Sequence, residues 1–168
     1  YKLMSNTAGI RTYCRHLQGL VERERLINIA CSAGQLAILK SDRLLEQFTS
    51  KDLTMDELEK LANGFVQAVE AGTHAKDGWP NTCYGLSKVA IIAMTKVLAR
   101  SHNGPDDELD ERILCNSVDP GYCATDQNCN QGNRPAARGA VTPYLLATMP
   151  EEKQYTGLHW FDEQVIGW

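Results

Sequence analysis

Apolar residues recur along the chain at two spacings, one typical of amphipathic helices and one typical of short buried strands. Helical spacing extends over 12–21, 41–48, 54–72, 84–100 and 141–146, and strands are predicted at 26–30, 113–118 and 157–161. The continuous hydrophobicity of 26–30 is typical of a parallel strand that is covered on both faces. Helices that alternate with such strands predict an α/β fold built on a parallel sheet.

Capping and turn residues define the ends of several of these elements. Thr54, with Glu57 three residues later, matches a helix-capping box, and Gly72 ends the helix that Thr54 begins. The segment 77–81 (Asp-Gly-Trp-Pro-Asn) predicts a turn. The polar stretch 125–137, rich in Asn, Gln and Gly, predicts a loop.

Length and charge limit the kinds of protein that this chain can be. Its 168 residues predict one domain. A net charge of −4 excludes nucleic acid as the main partner, because there is no basic excess to meet phosphates. No apolar run approaches the roughly 18–20 residues of a membrane span, and no secretory signal is recognisable. We therefore expect a cytoplasmic protein with no membrane partner.

The six cysteines predict free thiols rather than a metal site. No CxxC motif occurs, and the four histidines are far apart in the sequence, so zinc is not expected. Several cysteines lie inside apolar stretches, as Cys115 does, which is typical of buried thiols in a reducing compartment.

Tyr84 and Lys88 are the first candidates for chemistry. Residues four apart on a helix share one face, so the phenol and the ammonium can reach the same pocket. A nearby ammonium favours phenolate, so we expect Lys88 to lower the pKa of Tyr84 from about 10 and to make it a general acid. A tyrosine–lysine pair at this spacing also arises by chance on a solvated helix face, and context has to decide between the two.

Two further motifs accompany this pair in a fixed order. The segment 28–34 (Asn-Ile-Ala-Cys-Ser-Ala-Gly) precedes it, and 119–126 (Asp-Pro-Gly-Tyr-Cys-Ala-Thr-Asp) follows. The set resembles the short-chain dehydrogenase/reductase family, in which a strand ending in an NxSS-like motif, YxxxK and PGxxxTD occur in this order. Residues 74–80 before Tyr84 resemble the insertion of monomeric carbonyl reductases. The resemblance covers nearly all of the chain.

The resemblance implies a fold, a reaction and a cofactor. The fold is an incomplete Rossmann-like, doubly wound parallel sheet with flanking helices, and 1–168 form one catalytic part with a helical insertion at about 41–80. The reaction is NADPH-dependent reduction of ketones, aldehydes or quinones to alcohols. Tyr84 donates the proton, and Lys88 lowers its pKa and binds the cofactor ribose. The partner is a small carbonyl compound, and the complete enzyme is expected to be a monomer.

Asn6 is assigned to the catalytic asparagine of the family. The segment 5–9 (Ser-Asn-Thr-Ala-Gly) is also similar to the NNAG motif on the adenine side of the cofactor. Asn6 lies 22 residues before Asn28, where the family places the helix that bears its catalytic asparagine, whereas NNAG lies further upstream. By this resemblance Asn6 holds a water that connects to Lys88. The alternative is a helix-capping asparagine.

Cys31 occupies the position of the catalytic serine of the family. A thiol is a weaker donor than a hydroxyl, and loss of one such donor costs on the order of 10²–10³ in rate. We therefore expect impaired chemistry. The alternative is a local shift that brings Ser32 into the position.

The segment after the second predicted strand resembles the nicotinamide-side loop of the family. This implies cofactor contacts from Pro120, Gly121, the backbone at Cys123 and the hydroxyl of Thr125, with Tyr122 as a wall of the substrate pocket beside Cys31. Pro-Gly is also a common turn, and Tyr122 is equally compatible with an exposed loop position.

No glycine-rich pyrophosphate motif of the GxGxxG or TGxxxGxG type occurs in the sequence. We therefore expect that the dinucleotide-binding N-terminal half is absent and that the chain alone has an open sheet edge and binds cofactor weakly. The alternative function is a truncated or pseudoenzymatic relative that acts as a non-catalytic binding or interaction protein.

Overall fold

The computed structural model describes residues 25–102, 113–150, 153 and 155–168. The predicted helix at 12–21 and the candidate Asn6 lie outside these residues.

A four-stranded sheet forms the centre of the fold, in the order β1-β2-β5-β6. The first three strands run parallel and the last is antiparallel to its neighbour. The strands are β1 Arg25–Ile29, β2 Leu114–Asp119, β5 His159–Phe161 and β6 Gln164–Ile166. A separate two-stranded parallel pair joins β3 Cys123–Ala124 to β4 Arg134–Pro135.

Five helices accompany the strands in the part of the chain that the structure describes. They are α1 Asp42–Thr49, α2 Met55–Glu70, α3 Cys83–Ser101, α4 Ala136–Gly139 and α5 Val141–Thr148. Single 3-10 turns occur at Ser32–Gly34, Leu36–Ile38 and Asp126–Asn128. The capping box predicted for α2 is present, with the hydroxyl of Thr54 accepting from the Glu57 amide and the Glu57 carboxylate accepting from the Thr54 amide.

The two faces of the sheet pack against different helices because side chains alternate along each strand. On one face, Leu26 and Cys115 join the larger core, which includes α3. On the other, Val118 and Trp160 form a smaller core with Leu146 of α5. The parallel sheet with helices on both faces confirms the predicted α/β fold class.

Differences from the sequence predictions are confined to short elements. The stretch 125–137, predicted as a loop, contains a 3-10 turn, β4 and the start of α4. Strand β6 was not predicted. None of the described helices is long and apolar enough to cross a membrane. The single-domain organisation with an insertion at about 41–80 stays a prediction.

Candidate active site

The first turn of α3 presents Tyr84 at the surface beside Lys88. The N-terminus of the helix is capped by Thr82, whose hydroxyl accepts a hydrogen bond of 3.0 Å from the amide of Gly85. Tyr84 is 56% exposed, and the Lys88 amine lies 5.5 Å from the centroid of the Tyr84 ring. The helical spacing therefore brings the phenol and the amine to one side, as predicted.

Lys88 also connects α3 to the end of β1. Its amine donates a hydrogen bond of 3.2 Å to the carbonyl of Ile29. The 3-10 turn after β1 lies against the helix so closely that a Cβ on Gly34 would be 2.6 Å from the Lys88 carbonyl carbon. Only glycine fits this contact, so the strand end and the tyrosine–lysine pair are held in a fixed arrangement.

Cys31 is the residue of the 31–32 pair whose side chain acts on Tyr84. The thiol is close enough to the phenol to contribute to the raised pKa of Tyr84. The Ser32 hydroxyl is 3.9 Å from the Cys31 sulfur, and Ser32 is exposed. The assignment of Cys31 to the serine position, with Ser32 as the alternative, stays a prediction from the sequence.

The prediction that the pKa of Tyr84 is lowered is wrong, because this pKa is raised. Partial burial of the phenol raises the pKa of Tyr84 to about 12, assisted by the hydrogen bond with Cys31 and by the negative charges of Cys31 and Asp119. The Lys88 amine is instead directed to the carbonyl of Ile29. At neutral pH the phenol therefore remains protonated, which suits a proton donor and not a base.

Asp119 connects the ends of the two central strands. This carboxylate is 4% exposed, and its two oxygens accept hydrogen bonds of 2.8 Å from the backbone amides of Ser32 and Gly121. Gly121 has a φ of +74°, a conformation that favours glycine. The carboxylate thus fixes the position of the Pro120–Gly121 turn relative to Cys31.

The remaining candidate cofactor residues lie in the segment that follows this turn. The Cys123 thiol donates to the carbonyl of Pro120 at 3.2 Å. The Thr125 hydroxyl accepts from the Asn128 amide in a capping box, which leaves its own proton free to donate. Tyr122 is 56% exposed, as expected for a pocket wall or a surface ring.

Two residues near this segment were missed by the sequence analysis. Arg134 donates to the carbonyl of Pro120 at 3.1 Å and forms a bidentate ion pair with Asp162. Asp162 comes from the turn between β5 and β6, so the pair joins segments 28 residues apart. No local sequence pattern marks such a contact.

The residues at this edge fit the nicotinamide and ribose end of a dinucleotide. In open α/β sheets, ligands bind in the crevice outside the carboxyl ends of parallel strands, and β1 and β2 end here. The Lys88 amine and the Tyr84 hydroxyl supply donors for sugar hydroxyls, and the exposed Tyr122 ring offers an apolar surface. Among the residues that the structure describes, no group of three His, Cys, Asp or Glu side chains could hold a metal ion.

Comparison with characterised proteins identifies relatives over most of this chain. Carbonyl reductase (NADPH) 1 of Rattus norvegicus is 31% identical over 150 residues, which cover 88% of this chain and 53% of the rat protein. The Mus musculus enzyme of the same name is 33% identical over 155 residues, covering 90% of this chain and 55% of the mouse protein. The chain spans about half the length of the relatives it matches. No family model matches it.

Solved structures show the same fold. Salutaridine reductase from Papaver somniferum superposes with a TM-score of 0.80 at 24% identity, covering 94% of this chain and 53% of the reductase. Menthone neomenthol reductase from Mentha piperita gives a TM-score of 0.74 at 22% identity, covering 95% of this chain and 49% of that protein. Together with the motifs, these alignments show that the chain belongs to the short-chain dehydrogenase/reductase family and corresponds to the C-terminal half of its carbonyl reductases.

Proposed function

We propose that this chain provides the proton donor and the nicotinamide-side loop of an NADPH-dependent carbonyl reductase, which converts ketones, aldehydes or quinones to alcohols. One observation carries the proposal. The Tyr84 ring lies beside the Lys88 amine, and that amine is bonded to the carbonyl of Ile29 at the carboxyl end of β1, which is parallel to β2. The choice of NADPH follows the names of the relatives.

Tyr84 is the proton donor of the proposed reaction. The pKa of about 12 keeps its phenol protonated at neutral pH, so the hydroxyl can hydrogen-bond to a carbonyl oxygen and transfer its proton as negative charge develops there. When bound, NADPH supplies the hydride that adds to the carbonyl carbon. Lys88 holds the ribose, and Asn6 supports proton return to the tyrosine.

Cys31 is the second group that contacts the substrate oxygen. Its thiol occupies the place of a stronger hydroxyl donor, so charge on the oxygen is less well stabilised than in a serine enzyme. Tyr122 forms a wall of the same pocket. The small-molecule substrate, the monomeric state and the cytoplasmic location stay predictions from the sequence.

The test is ketone and quinone reduction by the protein as its gene encodes it, followed through NADPH absorbance. We expect Tyr84→Phe to lower kcat by roughly 10²–10⁴-fold, the usual contribution of a general acid. Tyr144→Phe, at a tyrosine 69% exposed on α5, is the matched control and leaves kcat unchanged. Equal activities of wild type and Tyr84→Phe would reject the proposal.

The thiol at position 31 favours a second candidate, a non-catalytic binding protein. The Cys31→Ser variant separates the two functions. A reductase gains activity, by up to about 10²-fold, because a full hydroxyl donor is restored. A protein that binds NADPH but shows no turnover in either form supports the non-catalytic alternative.

A further inference from the structure

Arg134 makes contacts that connect the candidate cofactor loop to the C-terminal hairpin. Its Nη1 atom donates to the carbonyl of Pro120 at 3.1 Å and to Oδ1 of Asp162 at 2.8 Å. Its Nη2 atom donates to Oδ2 of Asp162, also at 2.8 Å. The guanidinium lies 5.2 Å from the centroid of the Phe161 ring. Arg134 is therefore fixed from two sides.

The same side chain covers Gly121. A Cβ at Gly121 would lie 2.8 Å from both Cδ and Nη1 of Arg134, so the two residues are in direct contact. The backbone of Arg134 is also attached to this loop, because its amide donates to the carbonyl of Tyr122 and its residue pairs with Cys123. The Pro120–Gly121 turn is thus bonded through the Gly121 amide to Asp119 and through the Pro120 carbonyl to Arg134.

The partner of Arg134 lies in an unusual turn. Asp162 and Glu163 form the two-residue connection between β5 and β6, and both have positive φ, 45° and 60°. Two-residue hairpins favour this conformation, and Asn-Gly, Asp-Gly and Gly-Gly are the usual pairs, so Asp162 is typical and Glu163 is not. Arg138 pairs with Glu163 at 2.6 and 2.9 Å and with Asp162 at 3.2 Å. The ion pairs of Arg138 stabilise the hairpin turn, whereas the bidentate pair joins Asp162 to Arg134 directly.

We propose that Arg134 is a positioning residue, held by Asp162, that sets the Pro120–Gly121 turn for the nicotinamide end of the cofactor. This inference rests on the proposed function. A bidentate carboxylate fixes the plane of the guanidinium, and the remaining donor direction of Nη1 then fixes the Pro120 carbonyl. The proton donor Tyr84 belongs to a different element, α3. Loss of Arg134 therefore affects cofactor binding more than proton transfer.

Steady-state kinetics of the natural protein test this role. We expect Arg134→Met to raise KM for NADPH by roughly tenfold or more while kcat changes less than about threefold, because small misplacements of a binding loop are costly. Arg134→Lys keeps one donor and is expected to recover part of the affinity. Asp162→Asn leaves Arg134 intact without its bidentate partner and is expected to give an intermediate KM.

Arg138→Met is the matched control. Arg138 pairs with the same hairpin turn, but its guanidinium donates to Glu163 and Asp162, whereas Arg134 also donates to Pro120. We expect it to lower the melting temperature without a change in KM for NADPH. Faster amide hydrogen exchange at Gly121 in Arg134→Met, but not in Arg138→Met, provides a readout that needs no turnover.

The outcomes separate the two proposals. Wild type that neither binds NADPH nor reduces carbonyls rejects the proposed function, and the positioning role with it. An active wild type whose KM for NADPH is unchanged in both Arg134→Lys and Asp162→Asn rejects the positioning role alone. Equal effects of Arg134→Met and Arg138→Met on KM reject it as well, since they indicate only hairpin stability. If Arg134→Met does not fold, the lysine and Asp162 variants decide.

Discussion

The carboxylate of Asp119 accepts a hydrogen bond of 2.8 Å from the backbone amide of Ser32, although the two residues lie at the ends of different strands. Its second oxygen accepts from the amide of Gly121 at the same distance. Asp119 is the last residue of β2, and Ser32 begins the 3-10 turn after β1. One buried side chain therefore sets the spacing between the turn that contains Cys31 and Ser32 and the candidate cofactor turn.

Asp119→Asn should destabilise the chain by about 1–3 kcal/mol, the cost of leaving a buried polar group unpaired. An amide group supplies only one acceptor oxygen, so its NH₂ would face one of the two backbone N–H groups. Denaturant unfolding measures the change. Asp52→Asn, at an exposed position on the α1–α2 connection, is the control and should differ from wild type by less than about 0.5 kcal/mol. Equal stabilities of the two variants would contradict the bridging role.

Cys31→Ala should lower the pKa of Tyr84 from about 12. The hydrogen bond and the charge of Cys31 both raise that pKa, and burial, which raises it most, is largely retained in the variant. Ultraviolet titration of phenolate, taken as the difference from Tyr84→Phe, isolates the group. An unchanged or higher pKa in Cys31→Ala would show that the thiol does not contribute.

The raised pKa also gives the proposed reaction a direction in pH. Carbonyl reduction needs the protonated phenol, and this form persists from acid through neutral pH up to the pKa of about 12. Alcohol oxidation needs the phenolate as a base, so its rate should rise with pH across the alkaline range. A pH–rate profile in both directions measures this. A carbonyl reduction rate that falls with a midpoint near neutral pH would contradict the assignment of Tyr84 as the proton donor.

Local pattern was sufficient for the long elements of the fold. The apolar face of 84–100 predicted α3 to within one residue at each end, and the short run 26–30 predicted β1. Strand β6 was not predicted because it has only three residues, two of them exposed, and so shows no alternation of apolar and polar positions. The turn before it contains Asp162, a common residue at positive φ, followed by Glu163 where glycine is usual. The residues that pair with this turn, Arg134 and Arg138, are distant from it in sequence.

The candidate site, like the fold, could be predicted from the sequence only where local spacing determines the structure. Tyr84 and Lys88 could be paired from the sequence because helical spacing places them together whatever the rest of the fold does. The direction in which the pKa of Tyr84 shifts could not be predicted, because burial, Cys31 and Asp119 determine it. Cys31 and Asp119 lie at the ends of different strands and meet only in the folded chain. Arg134 could not be found because its partners Pro120 and Asp162 come together only in the folded chain.

His159 should make the chain less stable as pH falls below about 6.5. It is 3% exposed, and its Nδ1 lies 2.9 Å from the Ser117 hydroxyl. Burial lowers the pKa of His159, and the charge of Lys96 lowers it further. Ser117 and Asp119 act in the opposite direction but do not outweigh the burial. The unfolded chain binds a proton near pH 6.5, whereas the folded chain does not until lower pH. Unfolding free energy therefore decreases through this range.

His159→Asn should flatten this pH dependence, whatever its effect on stability at pH 7. The measurement is the slope of unfolding free energy against pH between about 7 and 5 for wild type and variant. Identical slopes in wild type and His159→Asn would show that other groups cause the acid sensitivity.

Gly34→Ala should destabilise the chain by about 1–3 kcal/mol, as expected for overpacking at a rigid contact. The new Cβ would lie 2.6 Å from the Lys88 carbonyl carbon and 2.9 Å from the Val89 nitrogen, and these backbone atoms cannot move without shifting α3. Gly64→Ala is the matched substitution. Its Cβ would meet only the Trp79 ring at 3.8 Å, and alanine in a helix is worth about 0.5–1 kcal/mol over glycine. The melting temperature should therefore fall in Gly34→Ala and rise in Gly64→Ala. A Gly34→Ala chain as stable as wild type would mean that the strand end and the tyrosine–lysine helix are not in rigid contact.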